Sequence, residues 1–137
     1  MTTETASNPT QARGVLEQFI AGAPSKIILS IPGSSYQVHL VVDAAPATPV
    51  GKRLVGTIRA SARRLDKIKS GGRYVEPVMG RPRRVQGAVV AIEGGSVCVD
   101  AGVPIWLRVG ETQRVDQFEV GDYVTTDVLP GATFTAA

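Results

Sequence analysis

The chain has 137 residues, of which 43% are hydrophobic and 20% charged, and its formal net charge is +3. This length matches one domain of ordinary size, which can bury a core without disulfides or metal ions. The composition excludes a disordered protein, and no apolar run approaches the roughly 20 residues of a membrane-spanning helix.

The N-terminal residues predict a disordered tail over residues 1–8, followed by a short helix. Asn8 can cap this helix and Pro9 fits its first position. Its apolar residues Val15, Leu16, Phe19 and Ile20 fall on one helical face. We therefore predict a helix over about residues 9–21. The start of the chain lacks the features of a secretory signal, so we expect a cytoplasmic protein.

From residue 26 onward the patterns favour β-strands. Residues 26–31 form an apolar run, and residues 36–42 alternate between apolar and polar side chains. Residues 52–62 alternate as well, with Leu54, Gly56, Ile58, Ala60 and Ala62 on one face. A competing helical spacing runs through Ile58, Ala62, Leu65 and Ile68. We prefer a long strand here because the alternation begins first.

The second half of the chain predicts further short strands separated by turns. Residues 73–77 resemble an edge strand because proline cannot donate to a ladder. A glycine turn at residues 94–95 predicts a hairpin, and residues 115–118 could hold one helical turn. The predicted strands are 85–92, 97–100, 103–109 and 123–129. Five or six short strands with regular turns are typical of a small β-barrel, so we predict a single barrel domain over residues 9–137.

The C-terminal third resembles a known family. It contains, in order, the strand at residues 85–92, the Gly94–Gly95 turn, the strands at 97–100 and 103–109, and the segment Phe118-Glu119-Val120-Gly121-Asp122-Tyr123-Val124. This order of elements is similar to that of S1-like proteins. These belong to the OB-fold class of partly open Greek-key barrels. The resemblance, over about residues 85–134, implies a mainly β, OB-like barrel.

Basic residues concentrate between residues 52 and 84. This segment holds eleven Lys and Arg residues and two acids, whereas the rest of the chain holds four basic and ten acidic residues. Clustered Lys and Arg attract the phosphates of nucleic acids, and the planar fork of Arg holds phosphate oxygens in pairs. We therefore predict a long basic β-hairpin that binds nucleic-acid phosphates with little sequence preference. The predicted contact residues are Arg53, Arg59, Arg63, Arg64, Arg73, Tyr74, Arg81, Arg83, Arg84 and Trp106.

Several alternatives to nucleic-acid binding stay open. The basic segment could be a solvated edge, or it could pair with the acidic residues of 110–128 in the same chain. If the basic segment instead paired with these acidic residues of a neighbouring subunit, this would be a structural protein that assembles into a homo-oligomer. A third hypothesis is a protein that binds a small molecule or an oligosaccharide in the barrel mouth. For the stacking candidates Tyr36, Tyr74 and Trp106 we favour packing in a core or an interface over stacking on bases.

Nothing in the sequence predicts catalysis, a metal or a cofactor. His39 is the sole histidine and has no partner at ligand spacing. Cys98 is the sole cysteine and lies between two valines, which predicts a buried, inert thiol. The chain has no phosphate-binding glycine loop and no nucleophile motif. We therefore expect a non-enzymatic protein.

Overall fold

The computed structural model describes residues 8–69 and 71–137. Except for Asn8, the predicted tail lies outside these residues. The described residues are mainly β, and their only helical element is a 3₁₀ turn at Val115–Gln117. The strands are β1 Ala12–Ile20, β2 Ser25–Ser30, β3 Gln37–Val42, β4 Arg53–Ser61, β5 Asp66–Ile68, β6 Tyr74–Glu76, β7 Met79–Gly80, β8 Arg84–Glu93, β9 Ser96–Asp100, β10 Pro104–Arg108, β11 Tyr123–Asp127 and β12 Thr133–Ala136.

Five of these strands close a small barrel. The hydrogen-bonded order is β1–β2–β3–β12–β4, and β4 returns to β1. The β3–β12 pair is parallel and the other four pairs are antiparallel. Closure leaves no unpaired edge within the ring. This closed five-stranded barrel is compatible with the OB-like class.

Side-chain alternation on β4 points one face into the barrel. Leu54, Ile58 and Ala60 are buried, as the alternating sequence predicted. Gly56 is buried at the same face, where β1 and β12 approach β4 most closely. The prediction of a strand over residues 52–62 is therefore confirmed, and the competing helical spacing is wrong. The opposite face of β4 points outward and carries Arg53 and Arg59.

The sheet continues beyond the barrel through residues 62–132. The C-terminal end of β4 pairs in parallel with β10, and β10, β9, β8 and β11 follow in antiparallel order. After β11, the chain returns to the end of β4, where Val128 forms an isolated β-bridge with Ala62. The β8–β9 hairpin turns at the predicted glycine pair. Arg59 and Trp106 lie opposite each other at the β4–β10 junction.

The predicted N-terminal helix is wrong, because these residues form strand β1. The pairing of β1 with β2 shifts between Leu16 and Gln18, which marks a β-bulge. Across this bulge, Leu16 and Phe19 pair with Leu29 and Ile27, two buried residues of one face. A bulge adds one residue to a strand, so it spaces same-face residues three apart. That spacing imitates a helix in the sequence.

The predicted long basic hairpin is also wrong. Strand β4 pairs with β1, β10 and β12, and β5, β6 and β7 pair with β11, β8 and β3 respectively. In the described part of the chain, the two halves of residues 52–84 do not pair with each other. The segment instead contributes strands to different parts of the sheet, which separates its basic side chains.

The barrel occupies a different part of the chain from the OB-like resemblance. That resemblance covered about residues 85–134, but the closed ring uses residues 12–61 and Thr133–Ala136. Strand β12 was not predicted at all. It is short, and its pairing with β3 and β4 is what closes the ring. Within the described residues, no helix has the length and apolar character needed to cross a membrane.

Candidate nucleic-acid interface

Three of the predicted phosphate-binding arginines already contact carboxylates of the same chain. Arg64 Nε lies 3.1 Å from Asp66 Oδ1, Arg73 Nη1 lies 3.0 Å from Asp100 Oδ2, and Arg84 Nη1 lies 2.8 Å from Asp127 Oδ1. The side chains are partly exposed, so each pair adds little to the stability of the fold. These pairs nevertheless neutralise the positive charge that phosphate binding requires.

Tyr74 belongs to the same internal network. Its hydroxyl donates to Gln86 Oε1 at 3.1 Å. Hydrogen bonds to Tyr74 and then to Asp127 raise the pKa of Arg84, which keeps this guanidinium charged. Because Tyr74 is half-buried in these contacts, it offers a poor platform for a nucleic-acid base.

The remaining predicted arginines do not form one strip. Arg53 lines a cavity of about 360 Å³ next to Arg13 and Gly14. Arg81 lines a different cavity, with Lys26 and His39. Arg63 and Arg83 are exposed in the links that follow β4 and precede β8. The structure thus separates residues that the sequence grouped.

The structure also brings together Arg59 and Trp106, two predicted site residues that are far apart in the sequence. They lie directly opposite each other in the parallel β4–β10 pair, and Arg108 lies opposite Ser61 one step further along the outward face. Two cavities of about 300 and 350 Å³ share Arg59, Ser96 and Trp106 in their walls. We call this continuous depression the Trp106 groove.

Strand alternation explains why these side chains face outward. Ile105 and Leu107 are fully buried, so Trp106 and Arg108 point to the opposite side of β10. Arg59 similarly lies between the buried residues Ile58 and Ala60. The parallel register then places all three side chains on one surface. Trp106 is half-buried, which leaves part of its ring available to a ligand.

The two arginines of the groove are free of ion pairs in the described part of the chain. Arg59 Nη1 donates a long hydrogen bond of 3.4 Å to Thr135 Oγ1. No carboxylate of the described residues lies within 4.0 Å of a nitrogen of Arg59 or Arg108. Glu93 lines the part of the groove near Thr10 and Gln11 and gives that end an acceptor. The groove therefore combines an aromatic ring, two uncompensated guanidinium groups and one carboxylate.

The sequence alone indicated part of this arrangement. The pattern Ile105-Trp106-Leu107-Arg108 shows that Trp106 and Arg108 share a polar face. It cannot show which other strand lies beside that face. Arg108 was missed as a site residue because it lies outside the basic segment.

The acidic surface predicted over residues 110–128 is partly neutralised within the chain. Lys67 Nζ lies 3.5 Å from a carboxylate oxygen of Asp122. Asp116 forms an ion pair with Arg114, and Asp127 forms one with Arg84. These contacts favour the interpretation that basic and acidic segments pair within one chain.

Cys98 is fully buried, as predicted. Burial, and secondarily the charge of Asp100, raises the pKa of its thiol to about 12. The nucleophilic thiolate is therefore scarce at neutral pH. We expect iodoacetamide to leave Cys98 unmodified in the folded protein and to alkylate it rapidly in urea, as measured by intact mass. Equal rates in both conditions would contradict this prediction.

Comparisons with known proteins identify no relative. No family model, no curated protein and no solved structure matches the chain. The described residues also contain no group of three or more His, Cys, Asp or Glu side chains placed to hold a metal ion.

Proposed function

We propose that the protein is a non-catalytic, OB-like module that binds single-stranded nucleic acid in the Trp106 groove with little sequence preference. The observation that carries this proposal is the placement of Trp106 beside Arg59 and Arg108, two guanidinium groups without a carboxylate partner. In this binding mode, Trp106 stacks on a base while the arginines contact the flanking phosphates.

The chemistry of single-stranded nucleic acid matches the groove. An unpaired base offers a π-face whatever its identity, and stacking on an aromatic side chain contributes about 1–3 kcal/mol per base. Arg binds phosphate oxygens in a bidentate manner and also stacks on bases. A duplex hides the faces of its bases, so it can use only the arginines. Single strands should therefore bind more tightly than duplexes of the same length.

Fluorescence of the single tryptophan tests this proposal directly, because all of the signal comes from the groove. We expect quenching that saturates when unlabelled oligonucleotides are added at low salt. Two phosphate contacts predict that the logarithm of the affinity falls with the logarithm of salt concentration with a slope of about −1.4 for single strands. The double variant R59Q/R108Q should bind weakly and lose most of this slope.

The double variant R63Q/R83Q is the matched control, since it also removes two charges and both arginines are exposed and line none of the cavities that form the groove. It should retain the affinity and the slope of the unmodified protein. A loss of affinity in this control equal to that in R59Q/R108Q would show that binding depends on overall charge. No quenching with any polymer at low salt would refute the proposal.

The assembly hypothesis makes a different prediction in the same samples. If a basic surface of one subunit docked on residues 110–128 of the next, the mass in solution would fall as salt rises. Light scattering across the salt series separates the two functions. Salt-sensitive oligomers without oligonucleotide affinity would favour assembly over nucleic-acid binding.

A further inference from the structure

A further cavity, of about 390 Å³, lies on the outward face of β2 and β3. Lys26, His39 and Arg81 contribute its charged and polar wall, and the rest of the wall is small or apolar. It is separate from the Trp106 groove, although the turn at Pro130 and Gly131 borders both. We call it the His39 cavity.

The fold assembles these three residues from distant parts of the chain. Strands β2 and β3 are antiparallel, with Lys26 opposite Val41 and Ile28 opposite His39. Both polar residues alternate with buried neighbours and therefore face outward. The short strand β7 runs parallel to β3, with Val38 opposite Gly80. Arg81 follows Gly80 directly and lines the same cavity as His39.

Two nitrogen atoms at this cavity lack hydrogen-bond partners among the described residues. Nε2 of His39 and Nη1 of Arg81 are shielded from solvent, and neither makes a hydrogen bond to this part of the chain. Buried polar atoms in native proteins nearly always have partners, so an exception requires an explanation. No Asp or Glu among the described residues lines the cavity. A bound group that brings oxygen acceptors and negative charge would pair with both atoms after rotation of the two side chains, because neither nitrogen has exposed surface in this conformation.

We propose that the His39 cavity binds a phosphate group, held by Lys26, His39 and Arg81. Phosphate suits this set better than a carboxylate does, because it carries more charge and has an oxygen for each donor. The apolar remainder of the wall suits an organic moiety attached to the phosphate. The group comes either from a small phosphomonoester or from a phosphate of a bound nucleic acid. This proposal does not depend on binding in the Trp106 groove.

The amino-acid composition makes the experiment selective. The chain has one histidine and one tryptophan, and each lies at a different one of the two sites. Imidazole NMR signals therefore report on the His39 cavity, while fluorescence reports on the Trp106 groove. We expect inorganic phosphate at constant ionic strength to shift the imidazole signals saturably without quenching the tryptophan. Acetate should shift them more weakly at the same concentration.

Variants on one short link provide a matched comparison. Arg81→Gln should weaken phosphate binding roughly tenfold or more, because it removes a charge-assisted hydrogen bond. Arg83→Gln, two residues further along and exposed, should leave binding unchanged. Lys26→Gln, at an exposed position of β2, should weaken binding without endangering the fold. Backbone NMR spectra of each variant verify that it is folded.

The source of the phosphate is decided by comparing ligands in the unmodified protein. Shifts with inorganic phosphate and a phosphomonoester assign the cavity to small ligands. Shifts with oligonucleotide, together with only weak shifts from inorganic phosphate, assign it to the polymer. The proposal is overturned if none of these ligands shifts the imidazole signals, if acetate binds as tightly as phosphate, or if Arg83→Gln weakens binding as much as Arg81→Gln. None of these results alters the test of the groove.

Discussion

Gly56→Ala is expected to destabilise the protein by about 3 kcal/mol or more, because the position has no room for a side chain. A Cβ atom at this position would collide with the carbonyl oxygen of Thr135 and lie 2.5 Å from Cζ of Phe134. Gly56 pairs with Ala12 of β1 on one side and with Ala136 of β12 on the other. The clash therefore falls at the point where the barrel closes.

Thermal and urea unfolding, followed by circular dichroism, measure this effect. Native domains have a free energy of unfolding of about 5–15 kcal/mol, so a loss of this size would lower the unfolding midpoint substantially. Gly72→Ala is the control, because no atom of the described residues lies within 4 Å of the added Cβ and the backbone there is not left-handed. We expect its stability to stay within about 0.5 kcal/mol of the unmodified protein. If Gly56→Ala proved equally harmless, β12 would not close the barrel against β4.

Trp106→Ala is expected to weaken binding of single-stranded oligonucleotides about tenfold to a hundredfold. This corresponds to the loss of roughly 1–3 kcal/mol of stacking on one base. Because the variant has no tryptophan, binding is measured by the anisotropy of a labelled oligonucleotide. Trp106→Phe keeps an aromatic face and should recover most of the affinity. If the role of Trp106 were purely structural, the affinity of each variant would change only with its stability. This difference in affinity between the Ala and Phe variants would then be absent.

The salt dependence adds a second readout for the same variant. Trp106→Ala removes no charge, so its salt slope should equal that of the unmodified protein. The variant R59Q/R108Q should show the opposite behaviour, with a reduced slope. If Trp106→Ala bound as tightly as the unmodified protein, the ring would merely cover the β4–β10 junction and the proposed stacking would be wrong.

Local patterns in the sequence were sufficient to identify most of the strands. Residues 84–93, 96–100 and 104–108 alternate or form apolar runs, and the glycine pair at 94–95 supplies the turn between the first two. The 3₁₀ turn at Val115–Gln117 was expected from the sequence as well. These features depend on the preference of adjacent residues for one backbone geometry and one side of a sheet. Such preferences can be recognised from neighbouring residues alone.

Features that depend on pairing between distant residues could not be recognised in this way. The bulge in β1 makes a strand look like a helix, and only its pairing with β2 and β4 shows the difference. The basic segment looked continuous because its residues are close in sequence. Its ion pairs with Asp100 and Asp127 join residues far apart along the chain. Net charge therefore overestimated the basic surface available to a ligand.

The sequence by itself determined that the protein is mainly β, that Arg59 lies on the strand face opposite Leu54, Ile58 and Ala60, and that Trp106 and Arg108 share one face of another strand. Only the tertiary structure decided that these side chains share a groove, and that Lys26, His39 and Arg81 share a cavity. The physical reason is that alternation sets the side of the sheet on which a residue lies. The strand that becomes its neighbour is selected by the packing of the whole core.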